Sequence, residues 1–159
     1  LDLVISDRPL PTGLNVRAYN HPLGQSSIAW FAGRGTRYAR SQTLPELLRD
    51  APMLLPMRGT PLRRSLDDYF DRLDITPKII AEFDDSALLK AFGEGGVGIF
   101  PAPVAIAPQV ERMYRVRQIG ESEGVIEQYF AISPERKLKH PAVLSIIESA
   151  RVALSMSTE

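Results

Sequence analysis

Between Pro52 and Phe100 the chain alternates short apolar runs with amphipathic ones, and no other feature constrains its fold as tightly. PMLLP (52–56), KIIAEF (78–83) and VGIF (97–100) are continuous apolar runs of strand length. Runs of this kind read as strands buried on both faces. Two helical patterns separate them. In the first, Thr60 is placed to cap and Pro61 suits the opening position. Leu62, Leu66, Tyr69, Phe70 and Leu73 then fall on one face. In the second, Asp84 is expected to cap a helix running through Phe92. Strand, helix, strand, helix, strand predicts an α/β fold with a largely parallel sheet.

The flanks extend this pattern. LDLVIS (1–6) reads as a strand covered on both faces. Residues 15–33 read as two extended segments around His21-Pro22-Leu23-Gly24. TLPELLRD (43–50) is a short helix with Thr43 and Glu46 at capping-box spacing. After residue 100 a weak helix is expected to be broken by Pro103 and Pro108. Two late strands follow, MYRVRQI (113–119) and VIEQYFAI (125–132). Pro141 opens a last helix with Val143, Ile147, Ala150 and Leu154 inward. Because the chain opens inside an apolar run, it is expected to be a piece of something longer.

Charge and composition exclude several function classes. Lys plus Arg and Asp plus Glu are both 19, so the net charge is zero and no strongly basic face for nucleic acid stands out. There is no cysteine, hence no disulfide or thiolate chemistry and a lean toward the cytoplasm. No apolar run approaches the ~18 residues of a membrane span.

The stretch AFGEGGVGIFP (91–101) contains Gly93-x-Gly95-x-x-Gly98, the spacing of a dinucleotide fingerprint. That motif cradles phosphate only when it follows a strand and opens a helix. Here the order is reversed. Gly93 is expected to end a helix at positive φ, Gly95 and Gly96 to reverse the chain, and Gly98 to permit a close backbone approach. His21 and His140 are far apart, without partners at metal-ligand spacing. Asp67, Asp68, Asp71, Arg63, Arg64 and Arg72 read as a solvated helix face, with Arg64 and Asp68 in i,i+4 reach. Two strand-to-helix junctions carry more interest. Asp84-Asp85 suits a helix cap, or alternatively an effector contact or hard-cation ligand. Arg58-Gly59-Thr60 suits a surface loop, or alternatively an anion site. No acid, base and nucleophile converge, so no enzyme, cofactor or metal site is expected.

LDLVISDRP, PMLLP, PMRGTPLRRSLDDYF, AEFDDSALLKAFGEG, GVGIFPAPV, EGVIEQYFAISPER and KHPAV together resemble the effector-binding domain of LysR-type transcriptional regulators. The resemblance implies a two-lobed α/β domain like a type 2 periplasmic binding protein, with the second lobe complete and the first only partial. It assigns residues 1–7 to the first lobe, 8–124 to the second, and 125–159 to the return strand and terminal helix of the first. It further implies a cytoplasmic sensor with a small-molecule or ion effector, sodium or alkaline pH among the signals. DNA would be bound through a helix-turn-helix absent from this chain, and homo-oligomers would form without a membrane. Ligand would change the angle between lobes. By position, the effector-facing candidates are Ser6, Asp7, Arg58, Gly59, Thr60, Phe83, Asp84, Asp85, Phe100 and Pro101. The alternative is a solute-binding module of periplasmic-binding-protein type, which has the same fold class.

Overall fold

The structure, a computed structural model, describes residues 2–38 and 42–155. In order these form β1 (Val4–Ser6), β2 (Tyr19–Gly33), α1 (Leu44–Asp50), β3 (Pro52–Pro56), α2 (Pro61–Arg72), β4 (Lys78–Phe83), α3 (Ser86–Glu94), β5 (Phe100–Pro103), a 3-10 turn (Val104–Ile106), α4 (Ala107–Met113), β6 (Val116–Ser133) and α5 (Pro141–Ser155). Two compact units result, one from Leu1–Ser26 with Glu127–Glu159 and one from Ser27–Ile126. Residues 8–26, which the resemblance assigned to the second lobe, group with the first unit.

The second unit is built on its strands. β3 and β4 pair in parallel, from Pro52 opposite Lys78 to Pro56 opposite Phe83. Ile99 joins β3 from the other side through Leu54 N–H to its carbonyl (2.8 Å) and its own N–H to the Pro52 carbonyl (2.9 Å). Gly98 permits that approach, because a Cβ there would lie 2.9 Å from the Pro52 oxygen. Trp30, Leu48, Met53, Leu55, Leu66 and Phe70 fill one core and Phe31, Leu54, Leu89 and Phe100 the other. Burial of such side chains contributes roughly 1.5–3 kcal/mol each. The indole N–H of Trp30 donates to Ser122 Oγ at 2.7 Å, so its burial leaves no orphan donor.

In the first unit β1 runs antiparallel to β6, Val4 opposite Ile132 and Ser6 opposite Phe130. Val143, Ile147 and Leu154 are the buried positions of α5, with Ala150 half-buried. Arg151 Nη2 donates to the Pro22 carbonyl at 3.3 Å, tying α5 to β2.

Several expectations need correction. The sheet is not largely parallel. The four-stranded sheet, ordered β1-β6-β2-β5, has antiparallel pairs at β1–β6 and β2–β5, while β3–β4 and the Ile99 bridge are parallel. Residues 15–33 form one strand over 19–33 rather than two segments, since Gly24 takes a positive φ of 151° open to glycine and the strand runs through it and Pro22. The two late strands are likewise one, β6, which continues through Gly124 at φ 77°. β1 and β4 are not covered on both faces. Val4 and Ile5 are exposed, and β4 alternates exposed with half-buried positions, as a strand with one covered face does. Pro108 does not break a helix; it occupies the first turn of α4, where no N–H is required. The strand expected at Val97 begins at Phe100. Finally, Gly93 lies inside α3, where a Cβ would meet the Phe100 ring at 2.1 Å, and the positive φ of the reversal falls on Gly96.

Candidate functional site

The carboxyl ends of β3 and β4 lie side by side because the strands are parallel and in register there. In parallel sheets this edge gathers the loops that open helices, and with them the helix N-terminal N–H groups. Met57 N–H donates to the Phe83 carbonyl at 2.9 Å, so the β3–α2 loop (57–60) and the β4–α3 loop (84–85) start from a common hydrogen bond.

In the first loop Gly59 takes φ 89°, a conformation that strains residues with a Cβ, and turns the chain into α2. Thr60 Oγ1 donates to the Met57 carbonyl (3.0 Å) and accepts from Arg63 N–H (3.2 Å). The Thr60 hydroxyl is thus committed to the cap. Pro61 has no N–H and Arg64 N–H returns to the Thr60 carbonyl (3.1 Å). The first turn therefore offers an incoming acceptor the Leu62 N–H alone. Arg58 is 79% exposed, with Nε 3.7 Å from Glu82 Oε1.

The residue that organises this edge is Arg63. Its side chain is only 2% exposed. Nε donates to Asp67 Oδ1 (2.9 Å), Nη1 to the Pro56 carbonyl (2.9 Å) and Nη2 to Glu82 Oε1 (3.3 Å). One guanidinium therefore ties α2 to the ends of β3 and β4. Burial pulls its pKa down, but Asp67 and Glu82 more than offset this and hold it above the usual arginine value. By helical spacing alone Arg63 reads as part of the solvated face with Arg64. The missed signal was the Arg63–Asp67 i,i+4 pair directly after a strand end. Arg64 does not pair with Asp68 as expected; it reaches back to the Gly59 carbonyl at 3.1 Å.

In the second loop the cap is Asp85, not Asp84. Asp85 Oδ1 accepts from Ala87 N–H (2.7 Å) and Leu88 N–H (3.2 Å). Asp84 is exposed beside it. Phe83 is half-buried, its ring 5.3 Å from that of Phe92. Phe100 and Pro101 do not share this surface. Both are buried, Phe100 stacked on Phe31 at 5.7 Å and Pro101 opposite Trp30 in the β2–β5 register. Sequence reasoning could not see this, since an apolar run looks the same in a core as beside a ligand. Among the described residues no group of three or more His, Cys, Asp or Glu could hold a metal ion.

Ser6 and Asp7 belong to the first unit. Ser6 Oγ accepts from Arg8 N–H (3.2 Å) and Asp7 Oδ1 from Arg8 Nε (3.3 Å). In the same unit the Tyr129 hydroxyl donates to Glu127 Oε2 at 2.5 Å. Burial, then the Glu127 and Asp7 charges, push that phenol far above its usual range. His21 Nε2 lies 3.1 Å from the Glu135 carbonyl. His140 precedes α5, where its carbonyl accepts from Leu144 N–H at 3.0 Å.

Paired strand ends, two capped helix starts and the exposed Arg58 and Arg64 make up this edge. The comparisons then specify the family. Residues 1–155 match the family described as the LysR substrate binding domain, and the chain belongs to that family. It is 33% identical over 154 residues to the transcriptional activator protein NhaR of Escherichia coli K12, an alignment covering 97% of this chain and 50% of that protein. The chain therefore spans about half the length of the curated relatives it matches. Among solved structures it resembles HinK, a LysR family transcriptional regulator from Pseudomonas aeruginosa (TM-score 0.68, 19% identity, 96% of this chain and 52% of that one). It also resembles the effector-binding domain of QuiR in complex with shikimate (TM-score 0.63, 17% identity, 99% and 72%). At these identities the two structures support the α/β fold alone. No described helix is long and apolar enough to cross a membrane.

Proposed function

We propose that this chain is the ligand-sensing domain of a NhaR-like, LysR-type transcriptional regulator, and that its second unit contributes Arg58, Gly59, Thr60, Phe83 and Asp84 to effector recognition. The observation that carries this reading is the edge fixed by Arg63. A buried guanidinium ties α2 to the ends of β3 and β4, while Arg58 extends from the β3–α2 loop into solvent. A rigid support beneath an exposed fork is what orients a planar acceptor such as a carboxylate. The effector class that fits best is a small organic anion. Among the neighbours, the QuiR domain is seen with shikimate.

The sodium or alkaline-pH signal implied by the resemblance is the finer alternative. Asp84, the second carboxylate oxygen of Asp85 and main-chain carbonyls would be its oxygen ligands, since Asp85 Oδ1 already accepts from two N–H groups. The domain is non-catalytic in this reading, with DNA bound by a helix-turn-helix outside this chain and the regulator acting as a cytoplasmic homo-oligomer. Its architecture is two-lobed, with the second lobe complete and the first partial. Ser6 and Asp7 are its first-lobe contribution. Effector can shift the regulator only by binding one conformation better than another.

Thermal melts in sodium, lithium and potassium chloride at equal ionic strength, and in sodium shikimate, test the reading. A bound ligand at a hundredfold excess over Kd stabilises by about 2.7 kcal/mol. A rise with shikimate that Arg58→Gln abolishes supports the anion site. A sodium-selective rise abolished by Asp84→Asn supports ion sensing instead. No shift in any salt would overturn both.

A further inference from the structure

The second unit has another cleft, at the opposite end of its strands. β2 runs antiparallel to β5, with Phe31 opposite Phe100, and Ile99 pairs beside the start of β3. The carboxyl end of β2 therefore lies at the pole away from loops 57–60 and 84–85. There Arg34, Thr36, Arg37, Tyr38, Glu111 and Arg117 line a cleft of about 620 Å³, the size of sites that take small metabolites.

Its polar groups are unevenly matched. Three guanidinium groups face one carboxylate, leaving two positive charges. That carboxylate is partly committed, because Glu111 Oε1 accepts from Gln118 N–H at 2.8 Å. Arg117 Nη2 donates to the Thr36 carbonyl (3.1 Å), which fixes the plane of its head group. Its Nε, by contrast, is buried and has no hydrogen-bond partner. Arg34, an exposed residue of the lining, makes only a long contact from Nε to the Val116 carbonyl (3.4 Å). The Tyr38 hydroxyl remains a donor, since burial raises its pKa more than the Arg117 charge lowers it.

A buried N–H without an acceptor is costly, and clustered like charges add repulsion. Structural arginines escape both penalties by pairing, as Arg63 does. This cluster lacks sufficient protein acceptors. A dianion with several oxygens in the cleft would supply them to the exposed Arg34 and Arg37 head groups and offset the excess charge beside Arg117. We infer that the pole formed by Arg34, Arg37 and Arg117 is a second ligand site, separate from the edge at Arg58, and that it takes a small phosphate-type dianion.

The test is calorimetric titration of the intact protein with pyrophosphate at constant ionic strength, followed in parallel by the Arg117 Nε–Hε resonance. The expected result is saturable binding with a shift of that resonance. Arg117→Gln and Arg37→Gln should each weaken binding at least ~10-fold, about 1.4 kcal/mol. Arg58→Gln should leave it unchanged, which separates this site from the effector edge. If Arg117→Gln does not fold, the exposed Arg37→Gln decides. The inference is overturned by a non-saturating drift shared by all arginine resonances, or by equal affinity in wild type and Arg37→Gln.

Discussion

Arg63 and Arg117 lie at opposite poles of one unit, and both turn guanidinium nitrogens away from water. At the Arg63 pole every arm of the guanidinium meets an acceptor of the protein itself. At the Arg117 pole one nitrogen is buried without any. The difference separates a structural arginine from one set up for something outside the chain. A guanidinium whose hydrogen bonds are completed by its own fold stiffens that fold. One whose bonds are incomplete leaves a buried donor unmet and contributes less to that fold.

Stability measurements test this contrast directly. Replacing Arg63 with Met leaves Asp67 and Glu82 facing each other without their shared cation. Since both carboxylates are partly solvated, the cost should lie at the low end for a broken buried pair, about 3 kcal/mol by urea denaturation. Arg117→Met removes an unsatisfied donor along with one hydrogen bond, so stability should stay within ~1 kcal/mol of wild type. Equal losses from the two substitutions would remove the distinction.

The first unit offers a pH-dependent counterpart of the saturated case. Tyr129 is held protonated by burial and by Glu127 and Asp7. Its folded pKa is raised, so its contribution is complete below the unfolded value near 10 and is lost as pH rises beyond it. One such group removes at most ~1.4 kcal/mol per pH unit above pH ~10. Melting temperature should fall more steeply on that alkaline limb in wild type than in Tyr129→Phe, and identical limbs would mean the phenol does not govern it.

The smallest effect sharpens the comparison within the effector edge. Asp85→Ala should cost about 1 kcal/mol through loss of the α3 cap. The adjacent Asp84→Ala should change stability by less than ~0.5 kcal/mol, as befits an exposed side chain. A larger loss at Asp84 than at Asp85 would reverse the roles of the two acids.

Much of the local structure was legible in the sequence, for local reasons. Thr60-Pro61 and Thr43-x-x-Glu46 specify helix starts through bonds made within four residues. The apolar stripe of α2 and the inner face of α5 follow from helical spacing. The order around the Gly-rich stretch was legible too, since α3 precedes it and a strand follows. Pairing direction was not legible, because parallel and antiparallel strands can carry similar apolar runs. Nor was it legible that residues 19–33 and 116–133 are single long strands, since Gly24 and Gly124 read equally well as turns.

For the candidate site the division falls in the same place. The sequence by itself determined that the loops around Arg58–Thr60 and Asp84–Asp85 open helices after strands, because caps and strand ends are short-range features. Only the tertiary structure decided that Arg63 is buried beneath them, that Phe100 and Pro101 lie in the core, and that Arg34, Arg37 and Arg117 share a cleft. Arg34 and Arg117 are 83 positions apart in sequence and meet only because β2 and β6 are neighbours in one sheet. Burial and charge clustering are properties of that packing, and no window along the chain contains them.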